Sequence, residues 1–220
     1  MPASTTSAAP SVTGRRTRDE KYDERRGQLA DSALQTLGEL GYARTSLREI
    51  AQNSPFSHGV VHYYFAGKDE LIIYCVQRYK AACVTRYDEL VATSTTPSEL
   101  ADRFCDKLVE TLRDEAPLHR LWYDLRSQAL FEDALRADVV EIDRALEAMI
   151  WRVLTRYAEL AGRAPAFDSP LSYALLDGLF EQAVVAHAAG EPAALALLGE
   201  RASRVLPTLL SPVVGTRRRP

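Results

Sequence analysis

The sequence predicts an all-α fold, and three observations support that prediction. Apolar residues recur every three or four positions along most of the chain, as on the buried stripe of an amphipathic helix. No stretch shows the apolar and polar alternation of a half-buried strand. Residues that cap or break helices, chiefly serine, threonine, proline and glycine, separate the periodic segments. With 220 residues, of which 46% are hydrophobic and 26% charged, the chain resembles an ordinary globular protein in composition, and we count nine helices.

The first predicted helix begins near residue 22 and is followed by a glycine. Its apolar positions lie at helical spacing and are Leu29, Ala33, Leu37 and Leu40. Gly41 is expected to stop it as a C-terminal cap would. Residues 1–18 are rich in Ser, Thr, Ala and Pro and are predicted to form a flexible tail. For its Arg15, Arg16 and Arg18 we weigh two alternatives equally, contact with DNA phosphates and simple solvation.

Residues 45–68 are predicted to hold two short helices joined by a tight turn. Thr45 is expected to cap the first helix. Pro55 ends it, because proline lacks an amide donor and pushes the preceding residue out of the helical region. Ser57 is expected to cap the second helix, which carries a cluster of polar and aromatic side chains. This arrangement is typical of a helix-turn-helix DNA reader, whose second helix lies in the major groove.

The same segment resembles the DNA-binding segment of the TetR family of bacterial transcriptional regulators. The resemblance rests on an ordered set of residues, Thr45, Ile50, Ala51, Ser57, Gly59, Tyr64, Phe65, Lys68 and Leu71. Two positions depart from the family pattern. Pro55 lies in the turn where glycine is usual, so the turn is expected to have a different backbone conformation. His62 stands where the family commonly has a phosphate-contacting tyrosine.

The TetR resemblance implies which residues contact DNA. Those on the second helix of the pair are Ser57, His58, Gly59, Val60, His62 and Tyr63. Thr45 and Lys68 are expected to add phosphate contacts from the starts of the neighbouring helices. By contrast, Val61, Tyr64 and Phe65 are predicted to belong to the core.

Six further helices are predicted after this pair. Lys68 opens one of about 25 residues, which runs on through Leu90 as a rigid rod between two domains. Thr96 to Glu99 form a capping sequence that opens the next, and Pro117 is expected to begin another. The remaining breaks lie at proline or glycine residues, namely Gly162, Pro165, Pro170, Gly190 and Pro192.

The last two predicted helices are apolar around most of their circumference. Small residues on them would allow a second helix to approach closely, and these are Ala174, Gly178, Ala183 and Ala186. Such helices need cover on every side. A homodimer that packs them as a four-helix bundle supplies it and also spaces two DNA-reading helices about 34–36 Å apart. The TetR resemblance implies the same dimer.

The TetR resemblance also implies a ligand pocket in the second half of the chain. Residues suited to line it are mainly apolar or aromatic, and they are Phe104, Leu108, Trp122, Tyr123, Leu125, Met149, Tyr173, Asp177 and Phe180. Asp177 lies on an otherwise apolar helix, where a buried carboxylate without a partner is costly. It is therefore expected to meet a ligand, to pair across the dimer or to face water. This lining favours a small, mainly apolar effector.

Charge and cysteine content narrow the class of protein. Residues 1–80 carry 11 Lys and Arg against 9 Asp and Glu, whereas residues 81–220 carry 16 against 21. The small basic excess thus lies in the half predicted to bind DNA.

Three cysteines without a C-x2-C pair indicate neither a disulfide framework nor a zinc site, and no cofactor is expected. Because no run reaches the roughly 18 apolar residues of a membrane span, a cytoplasmic protein is expected.

The histidines do not indicate an enzyme. Only His58 and His62 show the i, i+4 spacing of helical metal ligands, and both lie in the DNA-reading motif. The sequence shows no nucleophile and base arrangement.

These patterns predict a helix-turn-helix DNA-binding domain at 19–67, a ligand-binding and dimerisation domain at 68–211 and a second flexible tail at 212–220. The predicted function is that of a ligand-responsive transcriptional repressor, released from a palindromic operator when a small effector binds. The alternative keeps the fold but has no small-molecule effector, with regulation through a protein partner or as an activator.

Overall fold

A computed structural model of the chain describes residues 17–212, and the prediction of an all-α fold is confirmed there. The nine α-helices of this range are α1 (Arg18–Arg44), α2 (Leu47–Gln52), α3 (His58–Tyr64), α4 (Lys68–Cys83), α5 (Asp88–Thr93), α6 (Pro97–Gln128), α7 (Asp133–Leu160), α8 (Ser169–Ala188) and α9 (Ala194–Val205). One turn of 3-10 helix follows at Leu206–Leu209, and a single isolated bridge joins Pro165 to Leu210. Residues 1–16 and 213–220, which make up most of the two predicted tails and include Arg15 and Arg16, lie outside the described residues.

Helix α1 begins earlier than the sequence predicted. The Thr17 hydroxyl accepts a hydrogen bond from the Glu20 amide, and the Glu20 carboxylate accepts one from the Thr17 amide. This capping box satisfies two amides that a helix start leaves free. Thr17 and Arg18 therefore belong to the helix and not to the predicted tail at 1–18. Gly41 interrupts the helical path with a φ of 76°, which agrees with the predicted break.

Ser46, and not Thr45, caps α2. The Ser46 hydroxyl accepts from the Glu49 amide at 3.3 Å, and the Glu49 carboxylate accepts from the Ser46 amide at 2.8 Å. The Thr45 side chain is buried, and its hydroxyl donates to the Gly41 carbonyl at 2.7 Å. The predicted cap at Thr45 is wrong because the break at Gly41 leaves a carbonyl that this hydroxyl satisfies. Ser57 caps α3 as predicted, accepting from the Val60 amide.

Helices α4 and α5 are separate, whereas the sequence predicted one continuous rod. The break spans residues 84–87 and opens with two β-branched residues, Val84 and Thr85. The Thr85 hydroxyl donates to the Ala82 carbonyl at 3.1 Å, and the Arg152 guanidinium donates to the Val84 carbonyl at 2.5 Å. These partners satisfy carbonyls that the helix no longer uses. The apolar spacing continues across the break because Tyr87 is buried in the same core, which explains the error.

Pro117 kinks a helix that was predicted to begin there. Helix α6 runs from Pro97 to Gln128, and its backbone departs from helical geometry at Glu115, with φ −126° and ψ 20°. Proline lacks the amide that would bond to the carbonyl four residues earlier, and its ring crowds that carbonyl. The two helices predicted on either side of Pro117 are therefore one bent helix, α6. Because the predicted rod from Lys68 divides into α4 and α5, the two differences cancel and the total is still nine.

The predicted helix ends in the last third of the chain agree with the structure. Gly162 and Gly190 have positive φ values of 61° and 80° and follow the ends of α7 and α8. Asp168 caps α8, accepting from the Leu171 amide at 3.1 Å. Helix α9 begins at Ala194, slightly after the predicted start at Pro192.

Helix α6 is central to the packing. It contacts α1 on one side and α7, α8 and α9 on the others, and α4 packs against both α1 and α7. Large side chains with almost no exposed surface fill these contacts, including Leu29, Leu37, Ile50, Phe65, Leu71, Phe104, Trp122 and Leu125. Within residues 17–212, none of the helices has the length and hydropathy needed to cross a membrane.

Candidate nucleic-acid interface and ligand cavity

Helix α3 presents an exposed polar face, as a DNA-reading helix requires. The exposed residues on or next to it are Ser57, His58, Gly59, His62 and Tyr63, with Val60 half-buried. Val61 and Phe65 are buried, and Tyr64 packs half-buried against the core. The predicted division of this helix into a core side and an exposed side is therefore confirmed.

Gly59 leaves the exposed face of α3 open. A Cβ atom added at this position would meet no other atom within 4 Å. The α3 backbone is therefore accessible there to a large, flat or rod-shaped partner, such as the phosphate backbone of DNA.

Tyr63 lies against the ring of Tyr22, which was not predicted to belong to the site. Tyr22, on the first turns of α1, lies 6.2 Å from Tyr63 and 4.8 Å from Tyr64, centroid to centroid. Tyr63 nevertheless remains 67% exposed. Its ring is supported on one side and open on the other, so its position on the surface is restricted before any ligand arrives.

The two histidines of α3 do not form a metal site with other residues. The rings of His58 and His62 lie 4.5 Å apart at an angle of 72°. Among the described residues, no group of three His, Cys, Asp or Glu side chains could hold a metal ion. Both side chains are instead exposed on the face that carries Tyr63.

The turn before α3 is built without a left-handed residue. The only residues of positive φ in the described range are Gly41, Gly162 and Gly190. In the turn, the Ser54 hydroxyl accepts from the Phe56 amide at 3.2 Å. The Phe56 ring is buried, with the Arg25 guanidinium 4.6 Å from its centroid. A local side-chain bond and a buried ring thus stabilise the turn, as the departure at Pro55 required.

Thr45 and Lys68 occupy different environments. Thr45 is 3% exposed and bonded to Gly41, so its side chain lies beneath the exposed face and not on it. Lys68 is half-buried, with its ammonium 4.0 Å from the centroid of the Tyr42 ring. The Tyr42 hydroxyl donates to Asp69 at 2.9 Å, and burial together with this carboxylate raises the pKa of Tyr42 to about 12. Lys68 is thereby held at the start of α4, near α3.

A cavity of about 70 Å³ lies between α4, α6, α7 and α8. Seven residues predicted to bind a ligand line it, namely Leu108, Trp122, Tyr123, Met149, Tyr173, Asp177 and Phe180. Phe104 and Leu125 do not line it. Both side chains are completely buried elsewhere in the core, and Phe104 packs against the Tyr87 ring. A cavity of this volume holds a few waters or a small ligand, and a larger one would have to displace lining side chains.

Nine lining residues were not predicted from the sequence. They are Lys80, Cys83, Arg86, Tyr87, Thr111, His119, Leu146, Ile150 and Leu176. One signal was present, because Lys80 interrupts the apolar stripe of α4 between Val76 and Cys83. A charged residue on a buried stripe indicates either an ion pair or a functional site.

Asp177 has two partners in its own chain. Its carboxylate accepts from the Tyr123 hydroxyl at 3.0 Å and from the Arg126 guanidinium at 2.5 Å. Arg126 also donates to Asp143, which accepts from the Tyr173 hydroxyl at 2.8 Å. The prediction that Asp177 needs a ligand, the dimer or water is therefore corrected, since an arginine on α6 neutralises it. Burial and the negative charge of Asp177 raise the pKa values of Tyr123 and Tyr173.

A second charged group is also paired at the cavity edge. The Arg86 guanidinium donates to Glu115 at 2.6 Å, and the Tyr79 hydroxyl donates to the same carboxylate at 2.5 Å. Glu115 is the residue at which α6 bends. This cluster therefore connects the break after α4 with the kink in α6.

Lys80 and His119 are buried in the cavity wall, and burial disfavours the protonated form of each side chain. Burial lowers the pKa of Lys80 from 10.5 to about 8. Burial, followed by the nearby positive charge of Lys80, lowers the pKa of His119 from 6.5 to about 3. At neutral pH the lysine is therefore still mostly protonated, and the histidine is neutral.

Comparison with known proteins supports a regulator of transcription. The family model described as "Bacterial regulatory proteins, tetR family" matches residues 29–75. The HTH-type transcriptional regulator BetI of Burkholderia mallei (strain NCTC 10229) is 29% identical over 194 residues, which cover 86% of this chain and 95% of that protein.

Two solved structures with bound small molecules share the fold. The transcriptional regulator FadR from Bacillus subtilis, in complex with stearoyl-CoA, has a TM-score of 0.67 at 20% identity, over 82% of this chain and 96% of its own. A regulator from Saccharomonospora viridis, in complex with choline, has a TM-score of 0.66 at 18% identity, over 86% and 98%. At this identity the likeness concerns the fold alone.

Proposed function

The chain belongs to the TetR family of bacterial transcriptional regulators, and from that premise we propose that it is a ligand-responsive repressor. Its relatives are regulators of transcription and not enzymes. In the proposed mechanism a homodimer binds a palindromic operator in the cytoplasm. A small, mainly apolar effector then fills the cavity and lowers the affinity for DNA, which requires that it bind the DNA-incompetent state more tightly.

One observation carries this proposal, namely that α4 takes part in both candidate sites. Lys68 begins α4 beside the exposed face of α3, while Lys80 and Cys83 near its other end line the cavity. An α-helix rises about 1.5 Å per residue, so these two ends are about 18 Å apart on one rigid element. A ligand that displaces the cavity end of α4 must also disturb its contacts near α3, unless the helix bends.

The contacts of α4 with α1 are firm enough to transmit such a movement. Arg26 forms an ion pair with Glu70, and Arg78 donates to Asp31 at 3.3 Å. The buried Cys75 thiol donates to a carbonyl of α1 at 3.3 Å. Because α1 also carries Tyr22 beneath the α3 rings, a shift of α4 relative to the cavity would move the reading helix as well.

The proposed homodimer is supported by an exposed apolar face on α8. Leu171, Leu175 and Val185 are 46%, 42% and 65% exposed and lie on one side of the helix. The small Gly178 lies between them, and a Cβ there would meet nothing within 4 Å. A second copy of α8 would bury this face in a two-fold interface.

The alternative is regulation by a protein partner, or activation, without a small-molecule effector. The cavity favours the first proposal, because a concave, mainly apolar site suits a small molecule better than a protein surface. Ligand-induced stabilisation across a panel of metabolites would distinguish the two, since a partner-driven regulator would respond to none of them.

The proposal is tested by selecting bound sequences from a random pool of duplex DNA. We expect a palindromic site whose half-sites are about one helical turn apart. Its affinity should fall steeply as salt rises, because phosphate contacts release counterions. A chain that enriches no sequence, or binds all duplexes equally at physiological salt, is not a regulator of this kind.

A further inference from the structure

The cavity contains a lysine with no counter-ion. Lys80 is 5% exposed, and among residues 17–212 it has neither an ion pair nor a hydrogen bond from its ammonium. Its ammonium lies near two aromatic rings, whose centroids are 4.9 Å away for Trp122 and 5.2 Å away for Tyr79. Cation–π contacts offset only part of the cost of removing an ammonium from water. The ring contacts therefore only partly replace the interactions that the Lys80 ammonium would have with water.

The other charged groups at the cavity have ion-pair partners. Arg86 pairs with Glu115, and Arg126 is shared between Asp177 and Asp143. His119 is neutral, because burial and the charge of Lys80 lower its pKa to about 3. Among residues 17–212, Lys80 is therefore the one charged residue of the cavity lining without an ion pair.

Two polar atoms next to this charge also lack partners. The Trp122 Nε1 and the His119 Nε2 are buried and have no hydrogen-bond partner in the structure. Both residues lie on α6, about one turn apart, and both line the cavity with Lys80. An unpaired buried N–H costs free energy that a suitable acceptor would recover.

We propose that the effector is an organic acid whose carboxylate binds Lys80 and Trp122, while its apolar body fills the rest of the cavity. One carboxylate matches the single unpaired ammonium and can accept bonds from both that ammonium and an indole N–H. Leu108, Met149 and Phe180 form the apolar surface for the body of the acid. This inference rests on the proposed function and specifies the chemical class of its effector.

The same groups disfavour a cationic effector. Tyr87, Tyr123 and Tyr173 are rings that could surround a quaternary ammonium, as aromatic cages do. A cation in this small cavity would, however, lie near the unpaired charge of Lys80, and Asp177, the one carboxylate that lines the cavity, already pairs with Arg126. Choline is therefore the appropriate negative control.

The test compares acids with neutral and cationic molecules of matched shape. Thermal unfolding is followed with benzoate, phenylacetate, hexanoate or decanoate at about 5 mM, each beside its primary amide, and with benzylamine and choline. A ligand at ten times its Kd stabilises by about 1.4 kcal/mol, which raises the Tm of a chain this size by about 3–6 °C. We expect at least one acid to raise the Tm by this amount, whereas its amide, benzylamine and choline should not raise it.

Variants assign the effect to the proposed residues. Lys80→Met keeps the length and apolar stem of the side chain and should weaken acid binding at least tenfold. Lys107→Met is the matched control, because it removes one positive charge from the exposed side of α6 and should leave acid binding unchanged. Asp177→Asn removes a carboxylate from the cavity and should preserve or strengthen acid binding. A large loss in Asp177→Asn would contradict the assignment of the head group to Lys80.

Three further results would overturn the inference. These are stabilisation by amides or choline equal to that by acids, acid binding that persists in Lys80→Met, and no stabilisation by any acid of the panel. The same samples are assayed for binding to the selected operator. Acid binding without an operator would refute the proposed function alone, whereas an operator released equally by acids and amides would refute this inference alone.

Discussion

The backbone N–H of Tyr42 donates a hydrogen bond of 2.7 Å to the carboxylate of Asp124. Tyr42 follows the break at Gly41, where the chain leaves α1 for the helix-turn-helix pair, and Asp124 lies on α6 beside the cavity residue Tyr123. The bond joins residues 82 positions apart and connects the cavity wall with the base of the DNA-reading segment. Bonds from an amide to an ionised carboxylate are stronger than those between neutral groups.

Replacement of Asp124 by alanine should weaken this connection. The Tyr42 amide would lose its acceptor, with an expected loss of about 1–3 kcal/mol in the free energy of unfolding. In addition, the effector should release the operator less effectively, because one link between the two sites is gone. Thermal unfolding and operator titrations with and without effector measure both effects. Asp133→Ala, at an exposed carboxylate on α7, is the control and should change neither.

Tyr63→Ala and Lys68→Ala should weaken operator binding with little change in stability. Tyr63 is 67% exposed, and Lys68 is half-buried with a ring contact to Tyr42 only. If each contacts a phosphate, its loss should lower affinity about tenfold and reduce the salt slope by about 1. Titrations at several salt concentrations, together with Tm values, test this. If the Tm falls by many degrees while operator affinity is unchanged, these residues have a structural role. Arg204→Ala, at an exposed residue of α9, is the control for the loss of one positive charge.

Leu175→Glu should convert the proposed dimer into monomers. A glutamate on the exposed apolar face of α8 would be desolvated twice in a two-fold interface, once from each copy. Sedimentation equilibrium should give twice the 24.4 kDa chain mass for the wild type and the chain mass for the variant. Leu130→Glu changes a residue that is 73% exposed in the loop after α6 and should remain dimeric. A wild type that is already monomeric would rule out the dimer.

Lys80→Met should also stabilise the protein without ligand, and the gain should depend on pH. The pKa of Lys80 is lowered to about 8 in the folded protein, from a usual value of 10.5. Below pH 8 both states carry the proton and the folded state bears the full cost of burying it. Between pH 8 and 10.5 the folded lysine is neutral, so this cost shrinks as pH rises.

The measurement is the Tm difference between Lys80→Met and the wild type from pH 7 to pH 10. It should be positive at pH 7 and become smaller toward pH 10. The groups that influence Lys80 most, Cys83, Arg86, Asp177 and Glu115, are present in both proteins, so their own titration largely cancels in the difference. A difference that is zero or negative at pH 7 would show that Lys80 is already well paired.

The sequence predicted the local features because short-range interactions dictate them. Glycine breaks at 41, 162 and 190, the cap at Ser57 and the buried stripe of α3 all depend on neighbours within one or two turns. The errors arose where a local signal had two outcomes. Pro117 bends α6 where it was expected to start a helix, and the stripe of α4 continues across a break that Thr85 and Arg152 stabilise.

The sequence by itself determined the all-α fold, the helix-turn-helix segment and the family. Only the tertiary structure decided which charges have partners. Asp177 meets Arg126 across 51 positions, while Lys80 lies against the Trp122 ring and has no ion pair among residues 17–212. Helical periodicity places a residue on a face, but the helix that packs against that face decides whether a buried charge is neutralised or left for a ligand.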